Sequence, residues 1–88
     1  MCGLFSVVTA ADDFLSKSDV KELIKLGNKA QRRGVDASGL VLVPEDRDIQ
    51  IVKANHGFSS MIRTGAARSL LRKAKSGTGY ALFGHSRL

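Results

Sequence analysis

Two short runs, Leu40-Val41-Leu42-Val43 and Tyr80-Ala81-Leu82-Phe83, are apolar at every position. Successive side chains of a strand point to opposite faces, so a strand with no polar face expects cover on both sides. Leu4-Phe5-Ser6-Val7-Val8-Thr9 is a third run of this kind, rich in β-branched residues. Ile49 to Ala54 reads as another strand. It follows Leu40–Val43 across the polar turn Pro44-Glu45-Asp46-Arg47-Asp48, so 40–54 is predicted to be a hairpin.

The period changes between these strands. Val20, Leu23, Ile24 and Ala30 recur at helical spacing, with Lys21, Glu22, Lys25, Lys29 and Arg32 on the other face. Ser16, Ser18 and Asp19 offer N-cap residues with early negative charge, and Gly34 is a natural stop. The spacing predicts a helix over 18–33. Met61, Ile62, Ala66 and Leu70 predict a second helix from Phe58 to Lys75, capped by Ser59 or Ser60. Gly65 inside it costs ~1 kcal/mol relative to Ala. Ser76-Gly77-Thr78-Gly79 ends that helix. The order β-α-β-β-α-β makes this an α+β chain. Ferredoxin-like domains share that order, and it also fits one half of a layered sheet-and-helix sandwich. The chain stops at Gly84-His85-Ser86-Arg87-Leu88 with no closing turn or polar tail. The expectation is therefore a piece of a larger domain, with an unpaired sheet edge and a tendency to self-associate.

Length and charge limit the functions open to it. Eighty-eight residues allow one small domain or part of one, and 43% apolar residues exclude a disordered composition. No apolar run approaches the ~20 residues of a membrane span, and residues 1–10 lack the basic start of a signal peptide. A single Cys excludes an internal disulfide and an all-Cys zinc site, so a reducing cytoplasm is the expected setting. With two distant His and no spaced carboxylates, no metal site or cofactor is expected. The net charge is +6, and every acidic residue lies at or before Asp48. Lys53, Arg63, Arg68, Arg72, Lys73, Lys75 and Arg87 follow with no acid among them. That basic half either meets a polyanion or lacks an acidic complement that lies elsewhere. Arg68, Arg72 and Lys75 form a stripe that reads first as a solvated helix face.

The single cysteine stands at position 2, between Met1 and Gly3. Removal of Met1 would place a thiol and a free α-amino group on one residue. The amine titrates at roughly 7.7–8.0, so it is partly unprotonated near neutrality and can serve as the base a thiol nucleophile needs. The alternative is a buried Cys acting as a small hydrophobe. Arg33 and Asp36 flank Gly34 in Arg33-Gly34-Val35-Asp36-Ala37-Ser38-Gly39, which reads either as a site loop or as a helix cap and turn. Arg87, after the last strand, has the guanidinium fork that binds a carboxylate.

Taken together, Met1-Cys2-Gly3-Leu4-Phe5, Arg33–Gly39 and Gly84-His85-Ser86-Arg87 resemble, in order, the early signatures of the class II glutamine amidotransferase domain. That domain belongs to the N-terminal-nucleophile hydrolases and occurs in glucosamine-6-phosphate synthase and amidophosphoribosyltransferase. The resemblance implies the N-terminal part, residues 1–88, of a four-layer αββα sandwich with glutaminase and transferase activity. It implies Cys2 as nucleophile, Arg87 as the group that binds the glutamine carboxylate, and Arg33, Gly34 and Asp36 as a nucleophile-positioning loop. Glutamine and an ammonia-accepting synthase domain are the implied partners, and nucleic acid is an unlikely one. The oxyanion segment and second half of the sandwich are absent, so this piece alone is expected to be inactive. The competing reading is a small basic ferredoxin-like module that contacts nucleic acid or a partner chain.

Overall fold

The computed structural model describes residues 2–9, 13–30, 37–45 and 48–87, with Cys2 and Arg87 described by their backbone only. Four strands and three helices follow in the order β1 (Cys2–Val8), α1 (Lys17–Ala30), β2 (Ala37–Pro44), β3 (Gln50–Ala54), α2 (Phe58–Met61), α3 (Gly65–Lys75) and β4 (Gly79–Arg87). The strands form one sheet in the order β1-β4-β2-β3, and every neighbouring pair is antiparallel. β1 and β2 therefore run parallel with β4 between them, and β3 and β4 run parallel with β2 between them. Each β-α-β unit is split by a strand of the other. The β2–β3 hairpin forms as the turn chemistry predicts, with Leu40 opposite Val52 and Leu42 opposite Gln50.

α1 lies against β1 and β4, α3 against β2, β3 and β4, and the two helices touch each other. All the helices thus cover one sheet face. Leu40, Leu42 and Leu82 point into that layer and meet Val20, Leu23, Phe58, Met61, Leu70 and Ala74, all of them buried. Residues one step along the same strands point the other way: Val41 and Val43 are half-buried, and Phe83 is 41% exposed. Helices cover one face of these strands, and the other face is open with apolar side chains exposed, as expected of this chain by itself. Only two layers are present among the described residues, and the second sheet of a four-layer sandwich is not among them.

Local chemistry sets the element ends. The Ser16 hydroxyl accepts from the Asp19 backbone N–H at 3.1 Å, and the Asp19 carboxylate accepts from the Ser16 N–H at 2.8 Å. This reciprocal cap starts α1 one residue before the sequence estimate. The single helix expected over 58–75 is broken at 62–64. Gly65 lies at the start of α3 rather than inside a helix, Gly57 rather than Ser59 or Ser60 caps α2, and Ala67 rather than Ala66 faces the core. Gly77, at φ +83°, makes the turn out of α3, a conformation with little penalty only for glycine. β4 runs on through Gly84-His85-Ser86-Arg87, which the sequence reading had placed beyond its strand.

Phe58 fixes the spacing between the layers. A Cβ on Gly27 would overlap the Phe58 ring, and Phe5 meets that ring edge-on at 5.2 Å between centroids and 80°. The two faces of the sheet should respond differently to mutation. Leu40→Ala should cost about 2–5 kcal/mol in urea unfolding, and Gly27→Ala about 1–3 kcal/mol by overpacking. Leu4, 85% exposed on the open face, should tolerate Thr within about 0.5 kcal/mol. Equal losses at Leu4 and Leu40 would mean that the core lies elsewhere.

Candidate nucleic-acid interface

The charge asymmetry becomes a surface through α3. Its apolar positions Ala67, Leu70, Leu71 and Ala74 are buried, which turns Arg68, Arg72, Lys73 and Lys75 outward. Arg68 and Arg72 are one turn apart and Lys75 three residues further on, so the three share one stripe. Basic residues in the last turn also favour the helix dipole. The helix is anchored at both ends. The Thr64 hydroxyl accepts from the Ala67 N–H at 3.3 Å and donates to the Met61 carbonyl at 2.8 Å, while the Ser76 hydroxyl donates to the Lys73 carbonyl at 2.6 Å. Thr64 also sets the angle at which the chain leaves α2.

Between α1 and α3 lies an open groove of ≈ 340 Å³, lined by Ile24, Ile62, Arg68, Leu71, Arg72 and Lys75. Among the described residues no carboxylate lines it. Lys21, three residues before Ile24, adds a further exposed cation on the same side of α1. The stripe that reads as solvated in the sequence is thus the rim of a concave site.

The open sheet face differs in chemistry. Leu4, His85, Gly39 and Lys53 form one cross-strand row, and Ser6, Phe83, Val41 and Ile51 form the next. Lys53 is its only charged side chain among the described residues, while Leu4 and Ile51 are mostly exposed.

The residues singled out in the sequence fall as follows. Cys2 pairs with Arg87 across β1 and β4, and Arg87 in turn lies opposite Ala37 on β2, so the backbone brings two of the expected site positions together. Arg33, Gly34 and Asp36 lie outside the described residues. Two glycines of the motif strings have packing reasons to be glycine. A Cβ on Gly84 would overlap the Phe5 ring, and one on Gly39 would sit 2.9 Å from the His85 Nε2. Ser86, in the same string, is buried on the helix side with its hydroxyl unpartnered among the described residues, beside Ser38, whose hydroxyl donates to the His56 carbonyl at 2.8 Å. Among the described residues no group of His, Cys, Asp or Glu could hold a metal ion, and no helix is long and apolar enough to cross a membrane.

No protein-family model matches the sequence, and no curated protein matches it. Solved structures do match the fold. A chain of a complex between the beta-clamp processivity factor and the little finger domain of PolIV superposes with a TM-score of 0.62 at 14% identity, covering 100% of this chain and 88% of that chain. Dbh DNA polymerase in a ternary complex gives 0.61 at 16% identity, and DinB from Sulfolobus solfataricus 0.56 at 18%. Each of those two matches covers 98% of this chain and 28% of the polymerase chain. The chain therefore spans a little over a quarter of the length of those polymerases. Identities this low establish the fold alone.

That fold overturns the glutamine amidotransferase resemblance. The matched structures are the little finger domain of PolIV and a part of the Dbh and DinB chains, none of them a glutamine amidotransferase. The glutaminase and transferase function, the enzyme assignment and the partners glutamine and synthase domain fall with the resemblance, as does the dismissal of nucleic acid. Cys2 as a nucleophile and Arg87 as a carboxylate-binding group were also read from position and side-chain chemistry, and the structure describes only the backbone of both residues.

Since Thr64 positions the basic helix, Thr64→Ala should cost ~1 kcal/mol and Thr64→Ser much less, as read from urea midpoints. Equal effects would show that the methyl group matters and not the cap.

Proposed function

We propose that this chain is a non-catalytic DNA-binding module, the accessory part of a longer polymerase-like protein, working in a reducing cytoplasm. The observation that carries this reading is the unopposed cation stripe Arg68, Arg72 and Lys75 on the outer face of α3. A DNA duplex carries one negative charge per ≈ 1.7 Å of its axis, and neutralising phosphates releases condensed counterions. Long Arg and Lys side chains one turn apart can follow such a backbone without reading base sequence. Support comes from the fold, which this chain shares with domains of DNA polymerases. The open sheet face, with a single lysine among its described side chains, contributes little to that attraction.

The reading predicts salt-dependent, sequence-tolerant binding to a short duplex. Three phosphate contacts give a slope of about −2.7 in log K against log[salt]. Arg68→Gln with Arg72→Gln should bring the slope to about −1 and weaken random-sequence duplexes alike. Fluorescence anisotropy across a salt series measures both. No binding at low salt, or an unchanged slope in the double variant, would overturn the proposal.

A further inference from the structure

Phosphate contacts need cations, but they do not need what lies beneath these ones. The floor of the α1–α3 groove is Ile24, Ile62 and Leu71, with Ile24 and Ile62 half-buried at its surface. No aromatic ring lines it among the described residues, so it offers no platform on which a base could stack. Its volume, ≈ 340 Å³, is at the small end of ligand clefts and suits a few aliphatic anchors. Arg68, Arg72 and Lys75 around an apolar floor are complementary to a ligand with apolar side chains flanked by carboxylates.

We propose that this groove docks an acidic amphipathic helix of a protein partner. Such a helix presents apolar anchors at i and i+3 or i+4, on one face and about 5–6 Å apart. The anchors rest on Ile24, Ile62 and Leu71. Neighbouring Glu or Asp side chains meet Arg68 and Arg72, whose planar forks donate bidentately to a carboxylate, and Lys75 donates to a further one. Docking is independent of the DNA reading. Where that reading also holds, both ligands need the same cations, and the acidic helix excludes DNA from α3.

A labelled Glu-rich peptide with Leu at i and i+4 on one helical face is the probe. Its control has the same composition with the Leu residues on opposite faces. The whole chain should bind the probe about tenfold more tightly than the control. Ile24→Thr and Ile62→Thr, each confirmed folded by its thermal melt, should weaken the probe about tenfold while leaving duplex DNA affinity unchanged. Arg68→Gln with Arg72→Gln should weaken both ligands. Equal binding of probe and control by the unaltered chain would overturn the inference whatever the variants do, since charge alone would then explain binding. Threonine variants that stay folded and bind the probe normally would overturn it too. Probe binding without any DNA binding would sink the DNA reading and leave this one standing.

Discussion

The contact between Phe58 and the backbone of Gly27 decides how closely the helices approach the sheet. Phe58 is fully buried and sits on a helix of only four residues, so neighbours rather than the helix must hold it. α1 supplies the space by having glycine where any side chain would collide with the ring. β1 supplies Phe5, edge-on to Phe58, and β4 supplies Gly84, on which Phe5 lies. This run of ring and glycine contacts ties α2, α1, β1 and β4 together. Aromatic pairs in this geometry add about 0.5–1.5 kcal/mol beyond the area they bury. Glycine in a helix sacrifices about 1 kcal/mol relative to alanine, and here the ring occupies the vacated volume.

Much of this fold is legible in the residues. Leu40–Val43 and Tyr80–Phe83 read as buried strands because they lack a polar face, and both are internal to the sheet, whereas Leu4–Thr9, a run of the same kind, forms the edge strand β1 with Leu4 and Val8 exposed. The hairpin follows from Pro44 to Asp48, and α1 from its apolar spacing. The break after Met61 is harder to see. Met61 and Ile62 continue the period of the residues that follow, and a lone Thr is a common helix residue as well as a cap. Thr64 becomes a boundary only once Met61 is buried under the sheet and the chain must leave in a new direction. The reach of β4 is hidden for a related reason. Gly84 weakens a strand when read alone, and what justifies it is Phe5, some eighty residues earlier.

The family resemblance went astray for a different reason. Cys2, the Arg33–Gly39 loop and Gly84–Arg87 look like chemistry because short glycine-bearing strings resemble one another across unrelated folds. In this molecule a Cβ on Gly84 would overlap the Phe5 ring, and one on Gly39 would crowd the His85 Nε2 at 2.9 Å and the Val52 carbonyl at 3.1 Å. The basic stripe reads as ordinary because a helix exposes charge on its outer face as a rule. What makes it unusual is long-range: Ile24 from α1 and Ile62 from the turn before α3 complete a concavity that no local pattern encodes.

The two faces of the molecule divide the physics between them. The sheet's free face has apolar side chains and one lysine among the described residues, so it offers contact area with little field. The helix layer has the cations, and the methylene stems of Arg68, Arg72 and Lys75 can lie along the groove while their heads stay in water. Screening over about 8 Å at physiological salt keeps that attraction local to the groove and its rim. A polyanion that comes within that distance of α3 is held there. Whether it stays as a backbone held by charge, or as a helix seated on Ile24 and Ile62, depends on whether it has apolar groups to place on the floor.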